Sequence, residues 1–140
     1  MNYATLSEIK RSLKNKEILL KDLVEEYLSN IEKKNPEINA FLEVYKNEVR
    51  EKAKDIQEKI DNNEEGKLAG MVLGIKDNIC CKGHKVTAAS RILEGFESLY
   101  NSTAVERLLN EDALIIGRLN CDEFAMGTSN ENSGYGVVKN

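Results

Sequence analysis

Residues 68–79 read Leu-Ala-Gly-Met-Val-Leu-Gly-Ile-Lys-Asp-Asn-Ile, and this stretch constrains the fold more than any other. Hydrophobes dominate its first eight positions, and Gly70 and Gly74 mark close backbone approach, the pattern of a short buried strand. Lys76 closes the apolar run, and Asp77 and Asn78 then favour a turn. The junction of a buried strand with a polar loop is a common location for catalytic groups in α/β folds. The alternative is a lysine that simply carries its ammonium out of the strand end into water. Spacing by itself leaves both readings open.

A second apolar run, Ala113-Leu114-Ile115-Ile116-Gly117, predicts another buried strand. Between the two, Asn101 or Ser102 can cap a helix from Thr103 to about Glu111, with Val105, Leu108 and Leu109 facing inward. Strand, helix and strand in this order predict a right-handed crossover in a mixed or parallel sheet. Lys76 and the segment from Asn120 onward then both stand at strand ends and converge. The small residues of Thr87-Ala88-Ala89-Ser90 permit close packing beside them.

Upstream of these strands the pattern is helical. Thr5 and Glu8 have capping-box spacing, and Leu6, Ile9 and Leu13 share one face. A second helix carries Leu20, Leu23, Val24, Tyr27, Leu28 and Ile31 on one stripe; it lacks a good cap at Leu19 or Leu20 and is expected to end before Asn35-Pro36. Ile38–Tyr45 predicts an extended stretch, and Glu48–Ile60 a charged helix with Val49, Ala53, Ile56 and Ile60 inside. Asp61-Asn62-Asn63-Glu64-Glu65-Gly66 is the best linker candidate, dividing a helical region, residues 1–66, from residues 67–140.

Composition bounds the function. Charged residues at 31% and hydrophobic residues at 41% suit a globular chain, and 140 residues can bury a core. A net charge of −4 argues against non-specific binding to a nucleic-acid backbone through this segment, although a partner subunit can carry the basic surface. No run of about 18 apolar residues is present, so no membrane partner is expected. Met1-Asn2-Tyr3-Ala4-Thr5 lacks a signal pattern, which predicts a cytoplasmic protein. Cys80, Cys81 and Cys121 lack Cys-x-x-Cys metal spacing and read as reduced thiols. His84, the one histidine, has no orienting third group to make a nucleophile of Cys81.

Gly74-Ile75-Lys76-Asp77-Asn78, Ala88-Ala89-Ser90 and Asp122-Glu123-Phe124-Ala125-Met126-Gly127 together resemble the amidase signature family. With Asn130-Glu131-Asn132-Ser133 added, the likeness is greatest to the A subunits of glutamyl-tRNA(Gln)/aspartyl-tRNA(Asn) amidotransferases. The resemblance implies an α/β fold, N-terminal helices followed by the first strands of a mixed-sheet core. The family's Ser/Gly-rich signature, with its two catalytic serines, is expected beyond Asn140. Lys76 matches the family's catalytic lysine, which acts on a nucleophilic serine through a bridging one. A lysine serves as base only when neutral, so its pKa has to fall well below about 10.4, which burial achieves.

By the same resemblance, Thr128 and Ser129 line the pocket near the substrate amide; otherwise they cap a turn. Ser90, Ser129 and Ser133 lack the Gly/Ser-rich setting and are not assigned as nucleophiles. Adjacent Asp122 and Glu123 are expected to form structural hydrogen bonds rather than an acid/base pair. The implied activity is release of ammonia from glutamine for amidation of mischarged tRNA. The implied partners are subunits B and C in a heterotrimer. This chain is expected to bind no cofactor, with ATP and Mg used through a partner subunit, and to be inactive alone. Two alternatives stand beside this: an amidase for another amide, and a chain that retains only subunit binding.

Overall fold

The computed structural model describes residues 5–139; the N-terminal signal reading therefore falls largely outside the described residues. Helices α1 (Leu6–Lys14) and α2 (Leu20–Ile38) lead into strand β1 (Phe41–Val44) and helix α3 (Lys46–Asn62). Strand β2 (Val72–Lys76), helix α4 (Thr103–Asn110) and strand β3 (Leu114–Leu119) follow. The sheet order is β1-β3-β2. β1 runs antiparallel to β3, with Phe41 opposite Leu119 and Val44 opposite Gly117. The Leu114 N–H donates to the Met71 carbonyl and the Asp77 N–H to the Leu119 carbonyl, so β2 and β3 advance together as a parallel pair. The α/β, mixed-sheet expectation holds.

The chain forms two compact units. One comprises the residues up to Ile31 with Tyr45–Leu73 and Arg107–Ile116; the other comprises Glu32–Val44, Gly74–Glu106 and the residues from Gly117 onward. The first has an aliphatic core. The capping box at Thr5 and Glu8 starts α1, which buries Ile9 and Leu13. Val49, Ala53, Ile56 and Ile60 of α3 are all buried, as their spacing predicts. The cap missing from the start of α2 comes from α3, where Gln57 Oε1 accepts the Leu20 N–H at 2.8 Å.

The stretch read as a linker is anchored. Asn63 ends α3 in the left-handed conformation, Lys14 pairs with Glu65 at 2.8 Å, and the Gly66 N–H donates to Asp112 at 2.6 Å. Leu109, expected to face inward, is 37% exposed. Its helix is short, and Val105 is the residue that the helix buries fully.

The second unit corrects the end of α2. The helix runs through Pro36 to Ile38 instead of stopping ahead of it. Asn35 is held helical against the preference of a pre-proline residue because its side chain clamps Phe41, accepting the N–H at 2.7 Å and donating to the carbonyl at 2.9 Å. Asn39, at φ +59°, then ends the helix by donating its N–H to Asn35. This unit buries a polar group as well as hydrophobes: Asp77, Thr87, Ser90, Arg118 and Asp122 are all under a tenth exposed. Among the described residues no helix is long and apolar enough to cross a membrane.

Candidate active site

Gly74 lets β2 approach its neighbour: a Cβ there would lie 2.8 Å from the Leu119 side chain. Two residues on, Lys76 ends the strand with its side chain exposed. The next residue turns inward, and Asp77 is fully buried. Its carboxylate accepts the Thr87 N–H at 3.0 Å, the Ala89 N–H at 2.7 Å and the Thr87 hydroxyl, and pairs with Arg118 Nη1 at 2.6 Å. Arg118 also lies 3.5 Å from Glu43 of β1.

Those acceptors hold an unusual turn. Ala88 and Ala89 both adopt positive φ, +48° and +51°, where a Cβ is disfavoured. The carbonyls of this turn face the later segment. Ala88 accepts the Phe124 N–H and Ala89 the Gly134 N–H, both at 2.8 Å. Ser90, fully buried, donates its hydroxyl to Glu123 at 2.6 Å.

The later segment is shaped by its own polar side chains. Asp122 accepts the N–H groups of Asn130 at 2.9 Å and Asn132 at 3.1 Å, which makes its role structural as expected. Asn120 donates to the carbonyls of Asn39 and Gly136 and accepts the Ser133 hydroxyl at 2.6 Å. Asn130 accepts the Val138 N–H at 2.7 Å. The result is an open cleft of about 340 Å³ lined by Lys76, Asn120, Cys121, Asp122, Ala125, Gly127, Thr128, Asn130 and Val138.

Lys76 and Thr128 thus share one cleft. Ser129 does not line it, and its hydroxyl donates to Glu131 at 2.9 Å. Ser90 and Ser133 also lie off the cleft wall. Cys121 lies on the wall; burial pushes its thiol pKa up, the Asp77 carboxylate adds to that, and the Lys76 ammonium opposes it. No disulfide joins any of Cys80, Cys81 and Cys121.

Sequence reasoning misses Arg118 and Thr87 as partners of Asp77. The available signal is a cation in the run following Ile116, at the same end of its strand as Asp77 is of the other. The bonds that Asn120 makes to the Asn39 and Gly136 carbonyls, and Asn130 to the Val138 N–H, join backbone groups eight or more positions away, which periodicity does not report.

The family model described as Amidase matches residues 22–140. The chain belongs to the amidase family. It is 47% identical to the A subunit of glutamyl-tRNA(Gln) amidotransferase from Brachyspira hyodysenteriae, over all of this chain and 30% of that protein. A solved vestigial protein complex that bears on the origins of an s-triazine catabolic enzyme superposes with a TM-score of 0.91 at 29% identity, over 97% of this chain and 30% of that one. The solved A subunit of glutamyl-tRNA(Gln) amidotransferase from Thermotoga maritima superposes at 0.72 with 30% identity, over 100% of this chain and 29% of that one. The chain therefore spans about 30% of the length of the curated relatives it matches.

Proposed function

We propose that this chain contributes the lysine base and one pocket wall of a glutaminase, the A subunit of a tRNA-dependent amidotransferase. The observation that carries the reading is that Lys76 and the Asp122–Thr128 segment form one cleft. The 47% identity to a named A subunit over the whole chain supports the choice among amide substrates.

An amide is a poor electrophile and requires an activated nucleophile with a stabilised oxyanion. In the proposed reaction the uncharged Lys76 amine takes a proton relayed from the nucleophilic serine through the bridging serine. The serine oxygen attacks the glutamine amide carbon, and the proton is returned to the departing ammonia. Lys76 is exposed here. Its use as a base requires desolvation in the assembled enzyme. Thr128 faces the substrate amide from the cleft wall, and Ser129 supports the wall from outside it. Ammonia passes to a complex with subunits B and C, where Glu-tRNA(Gln) or Asp-tRNA(Asn) is amidated. ATP and Mg belong to a partner subunit. None of Ser90, Ser129 and Ser133 shares the cleft with Lys76, which supports the expectation that residues 1–140 alone are inactive.

The experiment is a chimera in which this chain replaces the matching region of the Brachyspira protein, co-expressed with subunits B and C. Ammonia release from glutamine is expected in the chimera and not in the isolated chain. Lys76→Ala should lower kcat by about three orders of magnitude or more, because members of such a catalytic set act as a unit. Lys76→Arg should stay equally silent, since guanidinium does not give up its proton. A chimera that hydrolyses other amides and ignores glutamine would place the chain with a different amidase. Lys76→Ala within a few-fold of the parent would remove Lys76 from the chemistry.

A further inference from the structure

Asp77 uses every polar group it owns. Its N–H donates to Leu119, its carbonyl accepts the Ala88 N–H at 2.9 Å, and its carboxylate takes Thr87, Ala89 and Arg118. A fully buried carboxylate paired with arginine is a poor means of gaining stability, because desolvation cancels much of the attraction. What such a group does well is fix geometry.

The geometry it fixes surrounds Lys76. Asp77 follows Lys76 directly, so the end of β2 cannot shift without breaking the set of bonds. The same carboxylate holds Thr87 and Ala89, flanking the turn at Ala88 and Ala89. The carbonyls of that turn bind Phe124 and Gly134, which bracket Ala125, Gly127, Thr128 and Asn130 of the cleft wall. Two bonded steps therefore join Asp77 to the wall that faces Lys76.

We propose that Asp77 is a positioning residue that holds Lys76 and the Thr128 wall in register, acting through Thr87 and the Ala88–Ala89 turn. The inference rests on the reading of Lys76 as the base. A misplacement of about 1 Å between reacting groups costs on the order of 10²-fold in rate. Asp77→Asn keeps the shape but turns an NH₂ toward groups that are all donors. Thr87→Val keeps the volume and deletes one donor to the carboxylate; Thr87→Ser restores that donor.

The test uses the chimeric protein in its complex, with kcat expressed per mole of folded protein as judged by near-UV circular dichroism. Asp77→Asn is expected to lower kcat about 100-fold with KM changed less than about three-fold. Thr87→Val should lower kcat about ten-fold, and Thr87→Ser should return it to within about two-fold of the parent. A purely structural role would reduce the amount of folded protein and leave its kcat intact. Should Asp77→Asn fail to fold, the two Thr87 variants decide. Parental kcat per folded molecule in Thr87→Val, with Lys76→Ala silent, overturns the inference and spares the functional reading. Activity in Lys76→Ala overturns that reading instead.

Discussion

A Cβ placed on Gly127 would lie 2.5 Å from Cγ of Asp122, so a side chain at 127 and the carboxylate would claim the same volume. The absence of a side chain at 127 lets the Asp122 carboxylate reach the N–H groups of Asn130 and Asn132 and close the loop that forms the cleft wall.

Gly127→Ala should therefore push the carboxylate off at least one of those amides. The expected cost is about 1–3 kcal/mol, the range for an overpacked site that also loses a hydrogen bond. Amide exchange at Asn130 and Asn132 should accelerate by ten-fold or more in the variant. Unchanged protection at both amides would show that the loop does not depend on this contact.

Two other glycines separate crowding from conformation. At Gly117 a Cβ would stand 2.3 Å from the Glu43 carbonyl oxygen across the β1–β3 pair. Gly117→Ala should cost about 3 kcal/mol or more, since strand backbone has to move. Gly83 has no atom within 4 Å of its would-be Cβ but sits at φ +77°. Gly83→Ala should cost about 1 kcal/mol through strain alone. Urea midpoints of the two variants, compared at equal slope, give the ordering; equal midpoints would contradict it.

The Cys121 thiol reports on charge in the cleft. Burial and Asp77 raise its pKa while Lys76 lowers it. Only the thiolate is alkylated, so its reaction with iodoacetamide should set in at higher pH than for an ordinary thiol. Lys76→Ala removes the opposing cation and should move the onset to still higher pH. Site-resolved mass spectrometry separates Cys121 from Cys80 and Cys81. An onset that stays put or falls in Lys76→Ala would place the Lys76 ammonium away from the cleft.

Thr5 tests the N-terminal helix independently of the site. Its hydroxyl accepts the Glu8 N–H at 3.2 Å, and Glu8 returns a bond to the Thr5 N–H at 3.1 Å. Thr5→Ala should destabilise the chain by about 1 kcal/mol, with Thr5→Ser close to the parent. A denaturation midpoint unmoved by Thr5→Ala would mean that α1 does not unfold with the rest.

The elements legible in the sequence are those whose information is local. The capping box of α1, the buried stripe of α3 and the two apolar runs that become β2 and β3 each depend on residues a few positions apart, and periodicity reports them directly. Lys76 at a strand end was legible for the same reason. Its convergence with residues 120–128 followed from the order of elements, because parallel strands joined by a crossover present the same end.

Tertiary structure decided the rest, wherever a side-chain bond to another element outweighs a local preference. Asn35 stays helical ahead of Pro36 because its side chain binds Phe41, and the start of α2 is capped by Gln57, thirty-seven positions away. The region after Ile60 read as a linker because its composition is that of a turn, yet Asp112 and Lys14 tie it down. Asp77 shows the limit most clearly. Its place after Lys76 is a fact of sequence, but its burial against Thr87, Ala89 and Arg118 exists only once three distant segments have met, since a charge is tolerated inside only where the fold supplies its partners.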